Sequence, residues 1–367
     1  VARADEAAMS AAHGERLGRR TPLFQWGVLL VLSAVLVAVA LWLRLPAALM
    51  IGPLIAAILV GTADGTIRVP LNPIIAVQGV VGFMMGRAIP LTFIDDLARD
   101  WPLVLLGVGG VLVAAAVIGL LLTRWGGLPG TTGVWGISAG ASTPMIIMSE
   151  QYGGDPRIVA VMQQIRILLV IAIAAIVARL WTPGGAAEAM QTNWFPPVAW
   201  GALLASTGLA VGSAFVAMWL RVPAGATLVP LALAVIVQEL GWLKIELTPW
   251  LLGFCYAMVG WNVGLRFNRA ILRYAVQSLP IILGATFALI ASCALLAGIM
   301  VLFADVDPLT AYLATSPGGA DTIAIIAATS AVDMRFVMAM QTSRLVVVLL
   351  MAPGLSRLMA RISGSLH

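Results

Sequence analysis

Twelve apolar runs, near residues 24–43, 45–62, 71–88, 101–123, 131–152, 157–181, 198–219, 223–240, 249–265, 277–303, 310–331 and 334–356, occupy almost the whole chain. A helix that crosses a bilayer needs about 20 apolar residues at 1.5 Å each, and each run is near that size. The charged content agrees: 61% of residues are hydrophobic and only 10% charged, whereas a soluble domain is about half apolar and about a quarter charged. Ten of the twelve tryptophans (26, 42, 101, 125, 181, 194, 200, 219, 242 and 250) fall at or close to the ends of the runs. That is where an apolar ring with a polar N–H belongs in a membrane. The chain reads as an all-α integral membrane protein whose first partner is the lipid bilayer.

Several function classes drop out. The net charge is +5, but the basic residues are scattered, with no basic face or zinc pattern for nucleic acid. Cys255 and Cys293 lie inside apolar runs and read as free buried thiols. The only histidines, His13 and His367, are in the two tails, so no histidine metal centre is expected within the membrane. No nucleophile–base pair stands out, and an enzyme is not expected. Residues 1–20 are polar and end in arginines before the first run. They read as a cytoplasmic tail ahead of an uncleaved first span.

The chain repeats itself. Under a shift of 178 positions, residues 137–170 align without a gap on 315–348. Ser138 meets Ser316, Gly140 meets Gly318, Asp155 meets Asp333, Arg157 meets Arg335, Gln163 meets Gln341 and Arg166 meets Arg344. The same shift sets Gly82 and Gly86 on Gly260 and Gly264, and a shift of 177 sets Arg44, Pro46 and Pro53 on Arg221, Pro223 and Pro230. Matched Asp, Gln and Arg are hard to obtain by chance in a chain so poor in polar residues. The organisation is therefore repeat 1 (21–181), a Pro- and Gly-containing linker (182–197) and repeat 2 (198–367).

Charge decides how the copies are oriented. If all twelve runs crossed, with the N-terminus inside, Arg266, Arg269 and Arg273 would lie outside and Asp305 and Asp307 inside. Both violate the positive-inside tendency. If the Gly-rich segments 131–152 and 310–331 instead dip in and return, ten runs cross; the Arg-rich tail, Arg68, Arg124, Arg221, the 266–273 loop and Arg357 with Arg361 lie inside, and Asp95 with Asp96 and Asp305 with Asp307 lie outside. The expectation is two inverted repeats of five spans, each with one re-entrant hairpin, and both termini cytoplasmic. Gly permits unusual backbone angles at a hairpin tip, and Pro317 rules out a continuous hydrogen-bonded helix there. The competing reading is a small-residue packing stripe.

Inverted repeats with opposed broken helices hold their solute near the midplane, where half-helix ends present free N–H groups. The expected tip residues are Ser138, Gly140, Ser142 and Thr143 in repeat 1, and Ser316, Gly318, Gly319, Asp321 and Thr322 in repeat 2. Arg166 and Arg344 fall near mid-membrane in the following spans, with Gln163 and Gln341 one turn before on the same face. An arginine at that depth costs roughly 2.5–3.5 kcal/mol on insertion scales and needs a partner. Either each binds an anionic solute or the backbone carbonyls of a tip, or it makes a structural pair such as Arg344 with Asp321. Asp321, whose counterpart is Thr143, is a natural site for a coupling H⁺ or Na⁺, or else buttresses an arginine. Trp135, just before the first tip, is placed to pack it. Gly82-x₃-Gly86 and Gly260-x₃-Gly264 read as close helix crossings.

With "LATSPGGADTIAIIA", "VMAMQTSRLVVVLLMAP" and "GISAGASTPM" in view, the chain resembles the membrane AbrB family of bacteria, nearly from end to end. That group carries labels of ammonia monooxygenase or regulator. The resemblance implies a bacterial inner-membrane protein. Neither label suits these residues: a monooxygenase needs metal ligands, and a DNA-binding regulator needs a basic soluble module. In architecture the pattern looks like the sodium–glutamate and 2-hydroxycarboxylate symporters, which implies a homodimeric scaffold by analogy alone. The functional expectation is a secondary active transporter of a small anionic or polar organic solute, coupled to H⁺ or Na⁺ and without other cofactors. The alternatives are a channel, or a membrane sensor or regulatory protein without transport.

Overall fold

The structure is a computed structural model that describes residues 20–89, 101–138, 145–146, 149–150, 153–181, 194–222, 224–267 and 278–362, with side chains to residue 348. Every regular element among these is helical. In chain order they are α1 (Pro22–Trp42), α2 (Ala48–Thr62), α3 (Leu71–Arg87), α4 (Trp101–Trp125), α5 (Thr132–Ile137), α6 (Pro156–Trp181), α7 (Trp200–Trp219), α8 (Gly225–Glu239), α9 (Pro249–Gly264), α10 (Leu279–Ala304), α11 (Pro308–Thr315), α12 (Ala320–Ala328) and α13 (Met334–Ile362). Five of them, α1, α4, α6, α7 and α10, are long and apolar enough to cross a membrane, and α2 and α8 are shorter apolar helices. Large apolar side chains on their outer faces stand bare, among them Leu23 (85% exposed), Trp42 (81%) and Phe303 (83%). Water would penalise such a surface and lipid would not. The chain is a membrane protein whose described elements are all helical.

The sequence repeat reappears in the backbone. α2 and α8 each start after a left-handed residue, Ala47 (φ 52°) and Ala224 (φ 53°), three positions beyond another, Arg44 (φ 53°) and Arg221 (φ 55°). Each of these helices carries an internal proline, Pro53 or Pro230. Contacts between the halves are exchanged in the same register. A Cβ on Gly82 or Gly86 of α3 would come within 2.3 Å of the Thr227 or Leu231 carbonyl of α8. A Cβ on Gly260 or Gly264 of α9 would come within 2.5 Å of the Met50 or Leu54 carbonyl of α2. Met50 and Leu54 are the shift-177 counterparts of Thr227 and Leu231. Thus α3 packs on α8 as α9 packs on α2, and only glycine lets the backbones approach so closely. This reciprocal crossing forms the larger part of the core, joined on α9 by Trp261. Its indole donates to Ser33 Oγ (2.9 Å) and meets Trp26 edge-on, with ring centroids 6.0 Å apart.

The run near 101–123 is not a plain α-helix. Leu105–Gly109 is a π-helical turn inside α4. There a Cβ on Gly107 would collide with Met340 Cε of α13. The extra residue in the turn re-aims the helix where the second half packs against it.

Candidate functional site

The site grows from two short helices that stop early. α5 ends at Ser138 (φ −57°, ψ 122°) and α11 ends at the equivalent Ser316 (φ −55°, ψ 131°). Carbonyls in the last turn of a helix have no intrahelical donor. Pro317 deepens the shortage, because the Leu313 carbonyl would ordinarily accept the N–H of residue 317, which proline lacks. Ile137 and Ser316 are buried and Ser138 is half-buried, so water has little access to these carbonyls.

Side chains from the following long helix fill it instead, in the same way in each half. Gln163 of α6 donates through Nε2 to the Trp135 (2.9 Å) and Ser138 (3.1 Å) carbonyls. Gln341 of α13 donates to the Leu313 (2.7 Å), Ala314 (3.4 Å) and Ser316 (3.2 Å) carbonyls. Arg166 donates through Nη1 to the Ile137 (3.3 Å) and Ser138 carbonyls. Arg344 donates to the Ser316 carbonyl, to the Gly318 carbonyl (2.9 Å) and to Gln341 Oε1 (2.6 Å). Gln163 and Gln341 are fully buried, Arg166 is 1% exposed and Arg344 4%. Of the two roles open to the arginines, the geometry is that of carbonyl ligands. Arg344 hydrogen-bonds Ser316, Gly318 and Gln341 rather than Asp321.

The matched acids hold the starts of the same long helices. Asp155 Oδ1 accepts from Arg157 N (2.8 Å) and Asp333 Oδ1 from Arg335 N (2.9 Å). Thr132 Oγ1 accepts from Asp155 N (2.8 Å), and Thr310 Oγ1 from Asp333 N (3.2 Å). Each short helix is therefore tied to its long helix at both ends, so the break is held in place by more than one bond. Trp135 packs the first break as its position suggests, with its indole on Thr131 Oγ1 (3.1 Å).

The two breaks meet. A Cβ on Gly318 would come within 3.0 Å of Val170 Cγ1, one turn beyond Arg166 on α6. Reciprocally, Val348 of α13 clusters with Trp135, Met145 and Val159 of the first half. Cys293 of α10 joins the crossing through its carbonyl, which accepts from Thr315 Oγ1 (3.0 Å), one residue before the second break. Both guanidiniums bond to carbonyl and amide oxygens rather than to a carboxylate. Two polar atoms at this crossing are buried without a partner, Ser316 Oγ and Arg166 Nε. The region thus has positive charge and hydrogen-bond donors in excess of acceptors.

Beyond the second break, α12 begins with Gly319 as its cap. Asp321 Oδ1 accepts the Thr322 N–H (3.0 Å) and Thr322 Oγ1 donates to the Gly319 carbonyl (2.9 Å). The charge that reaches Asp321 is Arg266, just past the end of α9. Arg266 is the site-related residue that sequence reasoning missed, having used it for orientation only. The signal was available: under the same shift Arg266 falls on Ala88 and Asp321 on Thr143, so both members of the pair are absent from the first half. Gly140, Ser142 and Thr143 lie outside the described residues. No cluster of three His, Cys, Asp or Glu side chains among the described residues could hold a metal ion.

Residues 49–360 match the family described as "Transition state regulatory protein AbrB". The chain belongs to the AbrB family. It is 42% identical over 338 residues to "Putative regulator AbrB" of Escherichia coli (strain K12), which covers 92% of this chain and 97% of that protein. It is 24% identical over 308 residues to "Uncharacterized protein YhjN" of Bacillus subtilis (strain 168), 78% of each chain. The family resemblance seen in the tip sequences therefore holds over most of this AbrB-family chain.

Proposed function

We propose that this AbrB-family protein is a secondary active transporter of a small anionic or polar organic solute, coupled to H⁺ or Na⁺. In this reading the two halves are inverted repeats, and α5 and α11–α12 belong to hairpins that enter the membrane from opposite faces. The solute sits where the two breaks cross. The observation that carries the reading is the duplicated clamp: a buried Gln and a buried Arg, one turn apart, hold the open carbonyls of a broken helix, twice, at one meeting point. A helix needed only for packing has no use for a break that takes a buried charge to maintain. Broken helices at a repeat interface are the means by which many transporters expose backbone groups to a solute. Alternating access follows if one bundle shifts against the reciprocal α2–α9 and α3–α8 crossing. A membrane regulator would not need the excess positive charge at the crossing.

The test is transport. Protein reconstituted in liposomes, with an imposed pH or Na⁺ gradient, should accumulate a labelled solute against its own gradient, and Arg344→Ala should abolish the accumulation. A metabolite thermal-shift screen in detergent selects the solute. Flux that only runs downhill would make the protein a channel. No flux and no ion-dependent thermal shift across a broad panel would end the reading.

A further inference from the structure

The N-terminus of α12 is the natural seat for an anion at the second break, and the chain's own carboxylate occupies it. Asp321 folds back over the break: its Oδ1 takes the Thr322 N–H and lies 2.7 Å from where a Cβ of Gly319 would be. Around this seat some binding capacity is unspent. Ser316 Oγ is fully buried with no partner, and so is Arg166 Nε across the contact that Gly318 makes with Val170. Arg166 and Arg344 add two positive charges whose hydrogen bonds go to neutral carbonyl and amide oxygens. Asp321, half-buried, is thus placed like a tethered ligand in a site with more donors than it uses.

Resting on the transport reading above, we propose that the solute is an organic carboxylate that replaces the Asp321 carboxylate at the start of α12. Asp321 takes up a proton from water as it is displaced. The Ser316 hydroxyl and Arg166 Nε–H complete the solute's donor set. A protonated carboxyl is a weaker claimant for the N–H donors at a helix start than an ionised one. Solute and proton therefore load together, and one negative charge is exchanged for another at no change in the net charge of the site.

Of the ionisable groups on the elements packed against α12, Arg166 of α6 and Arg344 of α13 lie at the break. Arg87 of α3, Arg157 and Arg179 of α6 and Arg335 of α13 are exposed. Arg266 is the cation acting on the Asp321 carboxylate. The N–H that Asp321 Oδ1 accepts at the start of α12 favours an ionised carboxylate while it is held, and a solute carboxylate that takes over this donor leaves Asp321 to take up a proton instead.

The experiment uses purified protein in detergent with acetate, malonate, succinate and glutarate as probes, and acetamide and succinamide as neutral analogues. Melting temperature reports binding, and a pH indicator in weak buffer counts protons. At least one carboxylate should shift melting where its amide does not, and about one proton should be taken up per protein. Its affinity should fall up to about tenfold per pH unit on the alkaline side, as a single coupled proton requires. Asp321→Asn should bind the same carboxylate with no proton uptake and no pH dependence. Ser316→Ala should bind it about tenfold or more weakly while keeping the proton count. Should Asp321→Asn fail to fold, the wild-type proton count and Ser316→Ala decide. Carboxylate binding without proton uptake, equal binding of the amides, or no response to any probe would overturn the inference. The two readings separate: uphill transport of a neutral solute sinks this one alone, whereas proton-linked carboxylate binding without flux in liposomes sinks transport alone.

Discussion

Replacing Gln341 by Leu keeps the side-chain volume nearly constant and removes every polar atom of the second clamp's hinge. Three donations from Nε2 and one acceptance at Oε1 are lost. The Ser316 carbonyl keeps Arg344, so three buried groups lose their partners, the Leu313 carbonyl, the more distant Ala314 carbonyl and one Arg344 N–H. At roughly 1–3 kcal/mol for each buried orphan, the cost is roughly 3–9 kcal/mol. Four membrane hydrogen bonds at about 0.6 kcal/mol each come close to the lower bound. The sharper test is rescue. Gln341 holds the Leu313 carbonyl where Ser316 (ψ 131°) and Pro317 end the helix, so Pro317→Ala, which frees residue 316 to take a helical ψ, should let the residue-317 N–H reach Leu313 when Gln341 is absent. In SDS-unfolding titrations, Pro317→Ala should recover about 1 kcal/mol in the Gln341→Leu background. In the wild type, where Leu313 is already satisfied, it should gain nothing. If Pro317→Ala has the same effect in both backgrounds, the two positions are not coupled and the clamp account is wrong.

Other outcomes follow from the paired geometry. Gly86→Ala and Gly264→Ala each drive a Cβ against a backbone carbonyl, at 2.3 Å and 2.5 Å. Each should cost roughly 1–3 kcal/mol in the same titration, and unequal effects would count against the reciprocal crossing. Asp155→Ala and Asp333→Ala remove equivalent N-terminal caps and should each cost about 1 kcal/mol. Ser33→Ala leaves the Trp261 indole N–H without its acceptor and should cost roughly 1–3 kcal/mol; no change in stability would show that the bond contributes nothing.

Much of this was legible in the sequence, because polar residues are so rare in it that each repeated one carries information. The shift that paired Gln163 with Gln341 and Arg166 with Arg344 located both clamps, and binding of tip carbonyls was one of the roles their depth allowed. The glycine pairs declared close crossings, and the structure shows which helix each one meets. Other features depend on tertiary contact and left little local trace. The π-helical turn at Leu105–Gly109 arises where Met340 presses on Gly107. The caps made by Asp155 and Asp333 were visible as matched acids, but their role needed the helix starts to be placed. The influence of the Arg266 charge on Asp321 spans 55 positions, and the arginine also reads as a loop residue that sets orientation.

The central claim is that the two broken elements enter from opposite faces of the membrane, and site-directed labelling tests it most directly. Glu150 and Asp305 are exposed beside the first and second broken elements in the chain, while the native thiols Cys255 and Cys293 are buried. With a membrane-impermeant maleimide on intact cells and on inverted vesicles, Glu150→Cys should react only from the cytoplasmic side and Asp305→Cys only from the other. Reaction of both from the same side would contradict the opposed arrangement and the transport mechanism built on it.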